Sequence, residues 1–153
     1  VAKKANAFGL KCLAYDPVLS GNEVVLEGFK VPLVSLNALL SQSDAVTLHL
    51  PFLPETKGLF NLDILSQMKA GACLINTARG GIVDEFALAE CLRSGHLGGA
   101  ALDVFSAEPA KDLSHLVGIE NLILTPHIAG VTHESNERVS QMIADEVNLF
   151  LGA

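Results

Sequence analysis

An arginine, a histidine and a glutamate in this sequence stand where they could handle a carboxylate and a proton. Arg79 lies in Asn76-Thr77-Ala78-Arg79-Gly80-Gly81. Two glycines there let the backbone approach a ligand closely, and a guanidinium can grip a carboxylate through two parallel hydrogen bonds. His127, set between Pro126 and Ile128-Ala129-Gly130, has the side chain whose ordinary pKa lies near neutrality, which suits a general acid/base. Glu108, in Ala107-Glu108-Pro109, could be its partner, holding the ring through a charge-assisted hydrogen bond. Each has a plainer reading: a solvated arginine on a Gly-rich turn, a structural or exposed loop histidine, and a surface glutamate beside a proline.

Other chemistries find less support. His49 reads as a satisfied strand histidine, and His96, His115 and His133 lie at helix or loop edges without a cysteine or carboxylate at ligand spacing, so no metal is assigned. No G-x-S-x-G is present for a serine hydrolase. Cys12, Cys73 and Cys91 are odd in number and lack a C-x-x-C, which speaks against a disulfide framework or zinc site and for a reducing cytosol; they read as buried small hydrophobes.

The elements that must position these groups follow from pattern. The 153 residues are half apolar, enough for one domain with a sizeable core, which excludes disorder. Ten Lys and Arg against 17 Asp and Glu leave a net charge of -7 without a basic run, so nucleic acid is not expected as a partner. No stretch approaches the ~18 continuous apolar residues of a membrane span, no leader pattern is seen, and a soluble protein is expected. A helix over 1–8 has no capping residue before it, so the start reads as cut. Gly9 can end that helix, and 10–15 reads as a strand closed by Asp16-Pro17. After a polar, Gly-containing stretch at 20–22 come a short strand over 31–34 and a helix over 36–40 capped by Ser35. A strand over 45–50 is stopped by Pro51. Asn61 caps a helix through Met68, and a strand over 72–76 runs into the Arg79 loop. Asp84 caps a helix to about Ser94, with Gly95 past its end; strands over 99–104 and 121–125 follow. Thr132 opens a last helix with Val139, Met142, Ile143, Val147, Phe150 and Leu151 in an apolar stripe.

Continuous apolar strands separated by helices predict a doubly wound α/β domain, a parallel sheet with helices on both faces. In such sheets the ligand crevice lies beyond the carboxyl ends of the strands. That rule selects Asp16, Leu50 with Pro51, Thr77 with Arg79, Asp103 with Glu108 a little beyond, and Thr125-Pro126-His127. Asp16 stands where nucleotide-binding folds put the acid that accepts from the adenosine ribose, although an Asp-Pro turn explains it as well. In the ribose role it would repel a 2'-phosphate and favour NAD over NADP.

Five segments in this order, 14–17 (AYDP), 48–56 (LHLPFLPET), 75–85 (INTARGGIVDE), 98–109 (GGAALDVFSAEP) and 124–130 (LTPHIAG), resemble the D-isomer-specific 2-hydroxyacid dehydrogenases, the family of D-3-phosphoglycerate, hydroxypyruvate and D-lactate dehydrogenases. The resemblance runs from Val1 to Ala153 and implies a Rossmann-like NAD-binding domain. It places the family's substrate-binding arginine on Arg79, its histidine acid/base on His127 and the paired carboxylate on Glu108. NAD contacts fall on Asp16, Leu50, Pro51, Thr77, Ala78, Arg79, Asp103 and the turn His127, Ile128, Ala129, Gly130. Glu108 matches the hydroxyacid enzymes, where formate dehydrogenase relatives would have glutamine. A small 2-hydroxy or 2-keto acid substrate, a homodimer and a cytoplasmic location are implied. The family's Gly-rich loop, the strand before it and the substrate-binding domain are absent from these residues, so the domain is expected to be N-terminally incomplete and inactive as an isolated piece. A rival expectation is a dinucleotide-governed interaction protein resembling the C-terminal-binding-protein corepressors, which keep the same three residues; another is an inert fragment.

Overall fold

The computed structural model describes residues 1–26 and 28–152; Glu27 and Ala153 lie outside the described residues. Helix α1 (Ala2–Ala7) starts at Val1 without a side-chain cap, as expected, and Gly9 takes φ +79°, the left-handed conformation that closes helices. The strand expected over 10–15 does not form. Its one pairing is a parallel bridge between Ala14 and Leu33, at the end of a neighbouring chain, and an apolar run becomes a strand only beside a continuous partner. That chain is a hairpin the sequence reading missed: β1 (Glu23–Leu26) pairs antiparallel with β2 (Phe29–Pro32), Val24 opposite Val31. The short strand expected over 31–34 is therefore shifted two residues toward the N-terminus.

The rest follows the expected order closely. Helix α2 (Leu36–Gln42) is capped by the Ser35 hydroxyl, which accepts from the Ala38 N–H, and strand β3 (Ala45–Leu48) follows. Helix α3 (Leu62–Leu65) is capped by Asn61 but stops short of Met68. There the N–H groups of Gln67 and Met68 reach three residues back, to Ile64 and Leu65, so the chain tightens out of the α-helix. Strand β4 (Cys73–Asn76) leads to helix α4 (Glu85–Arg93), where Asp84 accepts from the N–H groups of Phe86 and Ala87. Strands β5 (Gly99–Leu102) and β6 (Leu122–Leu124) complete a four-stranded parallel sheet in the order β3-β4-β5-β6. The fold is the α/β Rossmann type, a parallel sheet with flanking helices.

Register explains which side chains face the core. Val46, Leu74, Ala100 and Leu122 are level across the sheet, as are Leu48, Asn76, Leu102 and Leu124. These rows point to the side packed by α4, and their β3, β4 and β5 members are all buried. The alternate row, Thr47, Ile75, Ala101 and Ile123, is exposed or half-buried. Leu40, Leu65, Leu74, Leu88, Leu97 and Leu102 are at most 1% exposed, each worth about 1.5–3 kcal/mol of transfer from water. Of the three free cysteines only Cys91 is buried; Cys12 and Cys73, expected buried, are half-buried.

Helix α5 (His133–Leu151) begins at Thr132 as expected, its hydroxyl accepting from the Ser135 N–H, yet none of its residues is buried. The stripe from Val139 to Leu151 stands in solvent, with Phe150 at 90% exposure. Among the described residues, no helix is long and apolar enough to cross a membrane.

Candidate active site

Because β3 to β6 run parallel and in register, their carboxyl ends deliver four loops to one edge of the sheet. The loop after β4 is stapled by Asn76, which is 1% exposed in an otherwise apolar row. Its Nδ2 donates to the Arg79 carbonyl at 3.0 Å and its Oδ1 accepts from the Ala78 N–H at 3.0 Å. The sequence reading passed over Asn76, whose signal was an amide closing an apolar strand immediately before a Gly-rich turn. The loop presents Thr77 and Arg79 to solvent and half-buries Ala78. Arg79 folds one guanidinium nitrogen onto the Ala78 carbonyl at 2.6 Å.

The loops after β5 and β6 are tied together by Asp103, 3% exposed. Oδ1 accepts from the Thr125 hydroxyl at 2.5 Å and the Ile128 N–H at 2.9 Å, while Oδ2 accepts from the Ala129 N–H at 2.9 Å. Burial works to raise the Asp103 pKa, but the three hydrogen bonds and the nearby His127 outweigh it and hold the carboxyl below its usual value. A depressed pKa means stabilisation that is complete above the unfolded-state value, ~3.9, and lost as pH falls through the folded-state value. Asp103→Asn is expected to lower stability by about 2 kcal/mol at neutral pH, since an amide cannot accept all three donors. It should also flatten the fall in stability below pH ~3.9. Denaturant melts across that range would check both.

This anchoring sets His127 at φ +56°, a left-handed conformation that a non-glycine residue adopts only when held. Its Nδ1 lies 2.6 Å from Glu108 Oε2, and Glu108 Oε1 accepts from the Phe105 N–H at 3.0 Å. The hydrogen bond with His127 first, then that from Phe105, hold the Glu108 carboxyl below the ordinary carboxylate range. Arg79, Glu108 and His127 line one open hollow of about 260 Å3 with Phe52, Gly80 and Phe105. Three residues picked out from distant parts of the sequence thus share one site. Phe52 was missed; an aromatic residue directly after the Pro51 stop was its signal.

Other expected contacts are placed less closely. Leu50 packs partly on the core, and Pro51 is exposed, its carbonyl accepting from the Thr56 hydroxyl. Asp16 does form the Asp-Pro turn, one carboxylate oxygen accepting from the Val18 N–H at 2.8 Å. It is not among the residues that line the Arg79 hollow. His49 pairs locally with Thr47 at 3.2 Å. No group of three metal-ligating side chains occurs among the described residues.

The profile described as "D-isomer specific 2-hydroxyacid dehydrogenase, NAD binding domain" matches residues 1–129, which carry this entire hollow. The chain belongs to that family. Among its relatives, the (S)-sulfolactate dehydrogenase of Chromohalobacter salexigens is 49% identical over 152 residues, covering 99% of this chain and 49% of that protein. The glycerate dehydrogenase of Methylorubrum extorquens is 41% identical over 153 residues, 46% of its length. The crystal structure of D-lactate dehydrogenase from Aquifex aeolicus complexed with NAD and lactic acid superposes with a TM-score of 0.83 at 36% identity, covering 99% of this chain and 49% of that one. The chain spans about half the length of these relatives. The part of the family that these residues match is its NAD-binding domain. The residue types present fit that cofactor: the Asp16 carboxylate can accept from hydroxyls, Asp103 keeps acceptor capacity beyond its three hydrogen bonds, Leu50, Pro51 and Phe52 are apolar, and the Thr77 loop is exposed.

Proposed function

We propose that this chain supplies the acid/base and carboxylate-binding groups of an NAD-dependent oxidoreductase that interconverts a small D-2-hydroxy acid and its 2-keto acid. The observation that carries this is the 2.6 Å contact between His127 and Glu108 on the wall of a hollow shared with Arg79. A carboxylate only accepts, so Nδ1 of His127 is the donor to Glu108, and Nε2 is left to move the proton. In the reducing direction Arg79 swings off the Ala78 carbonyl to hold the substrate carboxylate and polarise its ketone, and His127 donates from Nε2 to the ketone oxygen. Oxidation is the reverse. When bound, the cofactor supplies or accepts the hydride.

Asp16 is assigned to the adenosine ribose, Leu50 and Pro51 to the adenosine, Thr77 and Ala78 to the nicotinamide half, and Arg79 and the turn from His127 through Ile128 and Ala129 to Gly130 to further contacts with the cofactor. About four lone-pair positions are available on a carboxylate, and Asp103 uses three, leaving one for a carboxamide N–H. The chain is read as the larger part of a dinucleotide domain, acting in a cytoplasmic homodimer, with the substrate-binding domain in the extra length its relatives possess.

The test is NADH oxidation by the complete polypeptide against a panel of 2-keto acids. Turnover with at least one is expected, and a folded, NAD-binding protein inert to all of them would end this reading. Glu108→Gln is expected to lower kcat/KM about 100-fold. Because Glu108 is held below the ordinary carboxylate range, its charged form persists as pH falls through ~4.3, and in the reducing direction, where His127 acts in its protonated form, the acid-side loss of activity should begin only below that pH.

A further inference from the structure

One polar cluster lies outside the hollow and is used by no step above. Glu85, the first residue of α4, has a side chain 11% exposed, and His115 beside it is 12% exposed. Glu85 Oε2 lies 3.1 Å from His115 Nε2, and Glu85 Oε1 accepts twice from one residue, from the Ser106 N–H at 2.7 Å and the Ser106 hydroxyl at 2.8 Å. The His115 ring stacks on Phe86, with centroids 4.2 Å apart and planes 20° from parallel, and its carbonyl accepts from Arg93 at 2.7 Å. The histidine is therefore fixed on both sides, and it fixes the carboxylate in turn.

The target of this clamp is the loop that aims Glu108. Residues 106–109 are all exposed, with little packing to hold them. One peptide unit joins Phe105 to Ser106; the nitrogen before that unit donates to Glu108 Oε1 and the nitrogen at its far side donates to Glu85 Oε1. We propose that Glu85 is a positioning residue for the acid/base pair, gripping Ser106 with His115 behind it so that the Phe105 N–H holds Glu108 against His127. The inference rests on the proposed reading of Glu108 and His127. Ser106 is not an activated nucleophile, since its hydroxyl donates to the carboxylate and not to the histidine.

Placement acting through Glu108 has a signature that general loosening lacks. The groups facing Glu108 are His127, the Phe105 N–H and, farther off, Asp103, with Arg79 on the same hollow. Glu85→Ala in the complete polypeptide is expected to lower kcat about tenfold with little change in KM. It should also move the Glu108 titration, followed by carboxyl 13C NMR, up toward the ordinary carboxylate range as the Phe105 hydrogen bond is lost. Glu85→Gln keeps an acceptor oxygen for the Ser106 N–H and should recover most of both. In a Glu108→Gln background Glu85→Ala should add nothing to the loss of kcat.

Should Glu85→Ala disturb folding, Ser106→Ala removes only one donor from an exposed residue and should shift the Glu108 titration in the same direction by a smaller amount. An unmoved Glu108 titration in Ser106→Ala, or in Glu85→Ala where that variant folds, overturns the inference, as does a full kcat loss on top of Glu108→Gln. Absence of turnover in the unsubstituted protein would instead strike the proposed function, while the NMR titration still reports whether Glu85 places Glu108.

Discussion

His127→Asn is expected to lower kcat/KM by about 10^3 or more while leaving the melting temperature nearly unchanged. Two structural facts separate the chemical loss from a folding defect. The side chain is half exposed, so its removal opens no cavity. The residue sits at φ +56°, where asparagine is among the most tolerant non-glycine choices, whereas alanine adds about 1 kcal/mol of backbone strain. His127→Ala should therefore show the same kinetic loss together with a measurable drop in stability. Steady-state kinetics beside thermal melts would distinguish them, and activity within tenfold of normal in the asparagine variant would refute the acid/base assignment.

The second large effect is expected at Gly80, and there it is steric. A Cβ built on Gly80 would stand 1.7 Å from the Phe105 carbonyl oxygen and 2.3 Å from its carbon. Those are backbone atoms, with no flexible end to swing away. Gly80→Ala must push apart the loops that follow β4 and β5, at an expected cost above about 3 kcal/mol. The displaced residue is the one whose N–H holds Glu108, so whatever folded protein remains should have a lower kcat as well. Gly81→Ala is the control. Its Cβ would meet the Phe52 ring at 2.9 Å, which can turn aside, although φ +74° adds strain of its own. A milder fall in stability at Gly81 than at Gly80 is expected in chemical denaturation, and equal stability of Gly80→Ala and the unsubstituted protein would show that the two loops are free to separate.

What the sequence made legible was local or periodic. Helix α4 could be read to within a residue because Asp84, Glu85 and Gly95 bracket it chemically. The parallel strands could be read because each is a short apolar run ended by a turn. The segment over 10–15 has the same composition and yet is no strand, since pairing depends on a partner that composition does not reveal. The β1–β2 hairpin was hidden because Val24-Val25-Leu26 is short and flanked by glutamates. At the site, Arg79, Glu108 and His127 were found because strand ends converge, and a motif resemblance chose among them. Asn76, Phe52 and the Glu85–Ser106–His115 cluster were missed. The cluster's contacts join residues 21 and 30 positions apart, and no periodicity marks such pairs.

The Asp103 anchor has a consequence for how this chain can change over time. Its partners at 128 and 129 are main-chain N–H groups, which every residue but proline provides. The side chains at those positions are not read by the anchor, and Ile128 already turns half of its surface outward. Substitutions there can alter the face presented to a ligand while His127 stays where it is. The placement of the turn and the surface it shows are thus stored in separable parts of one loop, and selection can revise the second without reopening the first.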